Sequence, residues 1–458
     1  MMTDDFDAAD FGRQFRAFMT AVSRLAPPEE TSVLRQRLES HLGGNPDGLP
    51  VVTESFPAFE HPNIQLALDA YLDAPGTTAD LLGISGANRE HHGLADIVNA
   101  TGRHQQFDVG AVDYVSVPTG VDTEMTCLGF GLLLVASSGH RLAVLLRVGA
   151  RRTGVSQVQL EVLTADVAAA RKFLDVIRAL AVERSIFRGQ VLSFEPHDFS
   201  GGLGPLRFHH RPDVDEADVI LPSGALEVLH RHVIGPTEHR ARIQAAGHRL
   251  RRGIVLYGPP GTGKTHTLRH LIGRAPAATI LIVTGFAAQF IREACALART
   301  LAPAIVVIED VDLVAQGRER SATTSTNPFL AEVLNLMDGI GGDADITFLL
   351  TTNRLEAVEE ALVHRPGRVD LLVEVPPPDE AGRARLLALY GRSLLLSDAD
   401  VGRIVAATTG VTASFFAELG RRAELLAATA GDVRADVGHV LRALDELRSS
   451  RVALGGRR

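Results

Sequence analysis

One glycine-rich segment constrains the fold of this chain more than any other feature. Residues 258–265 read GPPGTGKT, after an apolar run at 254–257 and before a helical stretch at 265–272. Glycines let backbone N–H groups surround a phosphate without Cβ clashes, and a helix N-terminus adds partial positive charge. In this pattern Lys264 reaches the β- and γ-phosphates, and the Thr265 hydroxyl is a ligand for Mg²⁺. The segment therefore predicts a P-loop between a strand and a helix.

The lysine count supports this interpretation. Lys172 and Lys264 are the only lysines among 46 basic residues, and the others are arginines. A compact point charge is required against a phosphate cradle, where a planar guanidinium would not fit. The alternative is a turn with a chance lysine.

A second acidic motif follows a strand. Residues 305–308 read IVVI and lead into Glu309 and Asp310. A buried strand that ends in two carboxylates is typical of the Walker B motif, in which one holds the Mg²⁺ shell and the other polarises the attacking water. The alternative is an acidic turn after a core strand.

The arrangement of predicted elements indicates three domains and a tail. Apolar strands at 253–257, 279–284, 304–309 and 346–352 alternate with helices, which predicts a parallel α/β sheet covered on both faces. Only helices follow residue 379, and the front of the chain mixes helices with short β-rich runs. We expect an α+β N-terminal domain at 1–205, a nucleotide-binding α/β domain at 206–378, a helical lid at 379–448 and a disordered tail at 449–458. Residues 45–60 are predicted to be a loop, and 199–205 a linker.

Composition narrows the classes of partner and compartment. The net charge is −9, there is no Trp, and Tyr occurs four times, which argues against a nucleic-acid partner. Cys127 and Cys295 are too few for a disulfide framework, which favours reduced thiols in a cytoplasmic protein. The start of the chain is acidic and leads into no apolar run, so we expect no signal peptide. The most apolar stretch, 128–148, is interrupted and predicts a β-hairpin turning at Ser138-Gly139, so we expect no membrane segment.

The adjacent histidine pairs do not have the sequence spacing of a metal site. The adjacent pairs His91-His92 and His209-His210 have no spaced cysteine or acidic partner, and they are interpreted as solvated loop residues. No His-Glu-x-x-His motif occurs in the sequence.

From about residue 213 to residue 428 the chain resembles the AAA ATPase family. Five segments have sequences similar to those of the family and occur in the family's order. They are the P-loop, the LTTN run at 350–353, the segment 361–370 and two lid segments at 378–383 and 409–413. The resemblance implies a P-loop NTPase sheet with a helical lid, and hydrolysis of ATP with Mg²⁺. It also implies a set of cofactor contacts: Pro260, Gly261, Thr262, Gly263, Lys264, Thr265, His266 and Gly410.

The resemblance assigns catalytic roles as well. Asn353 would orient the lytic water, while Arg365 and Arg368 would be arginine fingers that reach a neighbouring subunit's ATP. The order Glu309-Asp310 reverses the usual one and resembles the branch that includes the mitochondrial Rieske-protein translocase. By position, Glu309 would share Mg²⁺ with Thr265, and Asp310 would act as the base. Residues 363–364 add one position before the first finger, which could re-aim it.

Fingers that act between subunits imply a homo-oligomer, and the family resemblance implies a hexameric ring. Residues 285–303 lack the aromatic–hydrophobic–glycine triplet of polypeptide-threading members, and Phe290 is expected on the core face of a helix at 287–301. The polar run 321–326 is expected to form a loop. We therefore interpret the chain as a ring-forming ATPase that remodels a protein partner bound through residues 1–205. An ATP-dependent assembly switch and a nucleic-acid motor remain as alternatives.

Overall fold

The fold was analysed in a computed structural model. It describes residues 8–25, 32–100, 107–150, 156–196, 203–312, 328–339, 344–356 and 369–455. The predicted fingers Arg365 and Arg368 and the polar run 321–326 lie outside the described residues. The chain divides into two compact units, one of residues 1–117 and 125–184 and the other of residues 118–124 and 185–458.

The first unit is built on an antiparallel sheet. Its strands have the spatial order β1-β7-β6-β5-β2-β3, and β4 pairs with β5. Neighbours along this path all run antiparallel. The strands are β1 (Val51–Pro57), β2 (Thr77–Ser85), β3 (Asp108–Gly110), β4 (Asp113–Pro118), β5 (Glu124–Ser137), β6 (His140–Ala150) and β7 (Ser156–Leu163).

Helices cover both faces of this sheet. They are α2 (Val33–Leu42), α3 (His61–Leu72), α4 (Leu94–Asn99) and α5 (Val167–Glu183), whereas α1 (Ala8–Leu25) precedes them in the chain. Helices α3 and α5 share a core with Leu133 and Val135, whereas α2 and α4 share one with Leu132 and Leu134. Side chains alternate along a strand, so β5 is buried on both faces, which explains its continuous apolar run.

The predicted hairpin is confirmed. Ser137 of β5 pairs with His140 of β6 across a two-residue turn. Ser138 and Gly139 both have positive φ, 52° and 81°, as this tight turn requires. The predicted α+β character of the front region is also confirmed.

The prediction that residues 45–60 form a loop was wrong for residues 51–60. Strand β1 occupies residues 51–57, and a 3₁₀ turn follows at Ala58–Glu60. Strand β1 lies at the edge of the sheet, and Phe56 is its only fully buried residue. A half-buried edge strand containing Thr53, Glu54 and Ser55 does not give the apolar run that marks a central strand.

The second unit contains the predicted parallel sheet with a helical lid. The order is β14-β10-β13-β12-β11-β8-β9, in which all neighbours are parallel except β8 and β9. The strands are β8 (Val191–Pro196), β9 (Leu203–His209), β10 (Arg252–Tyr257), β11 (Thr279–Val283), β12 (Ala304–Ile308), β13 (Ile346–Thr352) and β14 (Leu371–Glu374).

The helices of this unit fall into two groups. Those that accompany the sheet are α6 (Ala225–Val233), α7 (Gly235–Glu238), α8 (Arg240–Ala245), α9 (Lys264–Gly273), α10 (Ile291–Thr300) and α11 (Pro328–Gly339). Those of the lid are α12 (Glu380–Tyr390), α13 (Asp398–Ala407), α14 (Ala413–Ala430) and α15 (Val437–Gly455). The lid has its own core, in which Ile404, Phe416 and Leu419 are at most 1% exposed.

The domain boundary predicted at residue 205 falls too late. Strand β8 pairs in parallel with β11, and β9 completes the sheet beside β8, so both belong to the second unit, whose main segment begins at Ser185. The buried residues Val191 and Leu192 cover what would otherwise be the open edge of β11. The prediction that a disordered tail starts at residue 449 was also wrong, because α15 continues to Gly455.

Both cysteines are buried and unpaired, as expected for core thiols. Burial raises the pKa of Cys127 to about 11 and that of Cys295 to about 12. In the part of the chain that the structure describes, no helix has the length and apolarity to cross a membrane.

Candidate nucleotide-binding site

The P-loop follows β10 and wraps into the N-terminus of α9. Gly258, Gly261 and Gly263 have positive φ values of 149°, 80° and 111°, which favour glycine over every other residue. A Cβ on Gly258 would lie 2.2 Å from the carbonyl oxygen of Val375. The backbone is thus free to form a concave loop of N–H groups at a helix start, which is an anion-binding geometry.

Lys264 is held inside this loop. Its side chain is 7% exposed, and Nζ donates to the carbonyl oxygens of Gly258 (2.8 Å) and Pro259 (3.0 Å) and to Oδ1 of Asn353 (2.8 Å). Burial lowers the pKa of Lys264, and the negative charges of Asp310 and Asp312 partly oppose that shift. The ammonium is therefore prepositioned beside the loop by neutral acceptors.

Thr265 and Glu309 meet at the mouth of the loop. The Thr265 hydroxyl donates to Oε2 of Glu309 over 3.0 Å, which joins the first turn of α9 to the end of β12. One hydroxyl and one carboxylate oxygen side by side form a donor set suited to Mg²⁺, which prefers oxygen ligands and keeps several waters.

Asp310 is held in an unusual backbone conformation. Its φ is 49°, and its N–H donates to the Thr351 hydroxyl over 2.9 Å. Its Oδ1 accepts a hydrogen bond of 3.3 Å from Nδ2 of Asn353. The Asn353 amide therefore bridges Lys264 and Asp310, so that the predicted cation, sensor and base form one connected group.

Asp312 was missed by the sequence reasoning. It is 6% exposed, and its Oδ1 accepts from the Thr352 hydroxyl (3.0 Å) and from the Asn353 N–H (3.2 Å). These bonds fix the end of β13 and thereby the orientation of Asn353. The signal available in the sequence was the third acidic residue of the run 309–312.

The lid closes one side of the cleft. The Ser414 N–H, in the first turn of α14, donates to the Gly261 carbonyl over 3.0 Å, and a Cβ on Gly261 would lie 2.3 Å from the Ser414 hydroxyl. The cleft has a volume of about 310 Å³. Its lining comprises Pro260, Gly261, Gly263, Lys264, Thr265, His266, Asp310, Asn353, Tyr390, Ala413 and Ser414.

Two residues predicted to contact the cofactor, Gly410 and Thr262, are not part of the cleft lining. Gly410 is not among the described residues lining this cleft; it has φ +75° and precedes α14, while Tyr390, Ala413 and Ser414 supply the lid wall. Thr262 is 3% exposed, and its hydroxyl donates to the Pro259 carbonyl over 2.9 Å, so its side chain braces the loop. Tyr390 and Ser414 were missed because their position depends on how the lid helices meet the P-loop.

His266 supplies a polar atom suited to a ligand. Its Nε2 is buried and has no hydrogen-bond partner among the described residues, although the side chain lines the cleft. A buried polar atom without a partner is costly, so a ligand that supplies one is favoured there. This orphan atom and the glycine cradle together fit a bound phosphate compound.

Phe290 lies in the core, as predicted. It is 8% exposed and packs at 6.4 Å between ring centroids on Phe194 of β8. The preceding segment, Gly285–Phe290, is a 3₁₀ helix, so the expected helix at 287–301 begins later, at Ile291.

Comparison with known proteins gives one family. Residues 254–377 match the family model for AAA, the ATPase family associated with various cellular activities. The chain is 31% identical over 268 residues to the ATP-dependent zinc metalloprotease FtsH 2 of Symbiobacterium thermophilum, covering 56% of this chain and 43% of the relative. It is 33% identical over 225 residues to Protein SAV of Sulfolobus acidocaldarius, covering 47% and 29%.

A eukaryotic relative matches a region of comparable length. The 26S proteasome regulatory subunit 6A of Saccharomyces cerevisiae is 29% identical over 219 residues, covering 45% of this chain and 50% of the relative. The chain therefore spans half or less of the length of these curated relatives. The expected likeness to the Rieske-protein translocase branch stays a prediction.

Proposed function

We propose, from the premise that this chain belongs to the AAA family of ATPases, that it hydrolyses ATP with Mg²⁺ and uses the cycle to remodel a protein partner. The observation that carries the proposal is the Asn353 amide, which joins Lys264 of the P-loop to Asp310 at the end of β12. A glycine-rich loop with a purely structural role would not require a cation, an amide and a carboxylate that are hydrogen-bonded to one another in one cleft.

Mg²⁺ would be held by Thr265 and Glu309, whose oxygen atoms lie 3.0 Å apart. When bound, the ion would supply positive charge that neutralises the charge developing on the phosphate groups. Lys264 is already stripped of bulk water, so its ammonium can exchange carbonyl acceptors for phosphate oxygens with little further desolvation cost. The Gly261 and Gly263 region supplies the N–H cradle.

Asp310 would accept the proton of the attacking water. Asn353 donates to one of its carboxylate oxygens, and the second is available to a water molecule in the cleft. Aspartate is one methylene shorter than glutamate, and the left-handed φ of 49° re-aims its side chain. This geometry supports Asp310 as base and Glu309 as the residue that shares Mg²⁺.

Turnover would require a neighbouring subunit. By family resemblance, Arg365 and Arg368 are the fingers that stabilise the transition state in trans, and a hexameric ring is the assembly that brings them to the next P-loop. The similarity to a proteasome regulatory subunit supports an assembly of this kind.

The first unit would select the partner. Helix α1 exposes Phe11, Phe15 and Phe18, at 55%, 52% and 61% of their surface. Exposed aromatic side chains along one helix are typical of protein contact surfaces. The buried, unpaired cysteines are consistent with action in the reducing cytoplasm.

A second function, an ATP-dependent assembly switch, is favoured by the burial of Phe290. The aromatic residue nearest to a pore-loop position packs on Phe194 and does not point outward. If nothing is threaded, nucleotide state would control oligomer formation alone. Stimulation of ATP hydrolysis by an added partner distinguishes remodelling from a switch, which would show nucleotide-dependent assembly without stimulation.

The role assignment is tested with Asp310→Asn and Glu309→Gln. Asp310→Asn should keep ATP affinity and lose turnover, whereas Glu309→Gln should raise the Mg²⁺ concentration needed for half-maximal activity. Asp445→Asn on α15 and Glu183→Gln on α5 make the same chemical changes on exposed positions and should leave both quantities unchanged. Normal turnover in Asp310→Asn, with ATP trapped by Glu309→Gln, would reverse the assignment.

A further inference from the structure

A cluster of metal-ligating side chains lies outside the nucleotide cleft. Glu216 begins the 3₁₀ turn Glu216–Asp218, His230 lies on α6, and His270 lies on α9. One ligand atom from each lies within 4.8 Å of the other two. The two imidazoles are stacked with centroids 5.0 Å apart, and their Nε2 atoms are separated by 2.8 Å.

The tautomer of His270 follows from its other nitrogen. Nδ1 lies 2.8 Å from the carbonyl oxygen of Val214, and a carbonyl can only accept, so Nδ1 carries the proton. Nε2 of the neutral ring then presents a lone pair toward His230 and Glu216. A metal-binding histidine usually donates its second N–H to a carbonyl or carboxylate in this way. His270 is also 0% exposed, so its ring orientation is fixed by packing.

The separations are close to those of a tetrahedral site. With metal–nitrogen bonds of about 2.0–2.1 Å, tetrahedral ligand atoms lie roughly 3.3 Å apart. The two nitrogens would separate slightly, and Glu216, which is exposed, would rotate inward. Its present ion pair with Arg274 spans 3.9 Å between two exposed side chains and is weak, because solvent screens it.

We propose that Glu216, His230 and His270 bind a Zn²⁺ ion, with water in the fourth coordination position. Two imidazoles and one carboxylate are a donor set that suits zinc better than Mg²⁺ or Ca²⁺. The open position faces a cleft of about 890 Å³ formed by α6, α7 and α8, which is lined by Glu216, His230 and Arg274 among others. Solvent and the ion therefore have an entry path.

The ion would connect the last turn of the P-loop helix to the segment between β9 and β10. His270 is six residues beyond Lys264 on α9, whereas Glu216 and His230 precede β10. Binding would close the chain between 216 and 270 and stabilise the native state by mass action. It leaves the cation, base and sensor of the nucleotide cleft untouched.

Cobalt substitution tests the site in the full chain, freed of metal by chelation and kept free of nucleotide. One equivalent of Co²⁺ should give the intense visible absorption of a four-coordinate ion, and Zn²⁺ should abolish it by competition. His230→Gln should weaken Co²⁺ binding at least about 100-fold, since loss of a ligand should exceed the 10–100-fold effect of losing an outer-shell partner. His239→Gln, which changes a histidine of the same cleft outside the cluster, should bind normally.

A second measurement tests whether the variants are misfolded and whether the ion binds at the P-loop instead. Zn²⁺ should raise the thermal unfolding temperature of the wild-type chain, of His239→Gln and of Thr265→Ala, but not of His230→Gln or Glu216→Gln. Absence of stoichiometric Co²⁺ binding would overturn the proposal and leave a His230–His270 hydrogen bond. Binding that survives His230→Gln but is lost in Thr265→Ala would overturn it too, since the ion would then be at the nucleotide site.

Discussion

Replacement of Asn353 by alanine should lower the rate of ATP hydrolysis and leave the affinity for ATP nearly unchanged. The wild-type amide accepts from Lys264 over 2.8 Å and donates to Asp310 over 3.3 Å. Alanine removes both bonds, but Lys264 keeps two carbonyl acceptors in the P-loop. ATP supplies new acceptors for the ammonium, so we expect ATP affinity to stay within a fewfold of wild type.

Turnover should respond much more strongly. A hydrogen bond to a charged group contributes about 1.5–3 kcal/mol. If the Asn353–Asp310 bond contributes in that range to positioning the base, kcat should fall by roughly 10- to 150-fold, at about 1.4 kcal/mol for each factor of ten. Asn353→Asp should be at least as slow, since it removes the donor and adds a like charge beside Asp310.

The assay is steady-state phosphate release at saturating ATP, with a fluorescent nucleotide titration on the same preparation. Asn99→Ala, on the exposed end of α4, is the matched control and should change neither quantity. If Asn353→Ala retains kcat within twofold, the connected group is not catalytic. If affinity falls and kcat does not, Asn353 serves binding only, and the mechanism proposed for Asp310 loses its positioning residue.

Three further perturbations test other parts of the structure. Lys264→Ala should abolish ATP binding in a calorimetric titration, while Lys172→Ala, the other lysine in the chain, should bind normally; equal affinities would refute the P-loop assignment. Mixing Arg365→Ala with Lys264→Ala subunits should restore activity that each lacks alone, once labelled subunits demonstrate exchange; exchange without recovery would refute fingers in trans. Asp345→Ala should lower the free energy of unfolding by about 3–5 kcal/mol, because it leaves the buried Arg252 guanidinium, 3.0 Å from that carboxylate, without its counter-charge; a loss below 1 kcal/mol in urea unfolding would contradict this.

Elements with a strong local signal could be predicted from the sequence. The central strands β10 to β13 are buried along nearly their whole length and are mostly apolar, and the predicted ranges agree with the structure to within a residue or two. The P-loop was equally clear, since a backbone that wraps a phosphate demands glycine at set positions. The Ser138-Gly139 hairpin followed from a two-residue turn between apolar arms.

What could not be predicted depends on contacts between distant segments. Strand β8 reads like any short strand, and only its pairing with β11 assigns it to the second unit. The roles of Ser414 at the P-loop and of Asp312 under Asn353 likewise arise from tertiary contacts. The same holds for His230 and His270, which lie 40 residues apart in sequence and have no motif spacing, although their Nε2 atoms are in contact.

The hydrogen bond between the Gly261 carbonyl and the Ser414 N–H has a consequence for the balance between open and closed lid states. One backbone bond contributes only about 0.5–1.5 kcal/mol, so by itself it shifts that balance by roughly tenfold or less. This bond alone would therefore leave both states populated at ambient temperature. Because Tyr390 and Ser414 line the same cleft as Lys264, occupancy of the cleft can dominate this small bias. The populations of the open and closed lid would then depend on whether nucleotide is bound. A neighbouring molecule that binds one lid state more tightly would thereby respond to bound ATP.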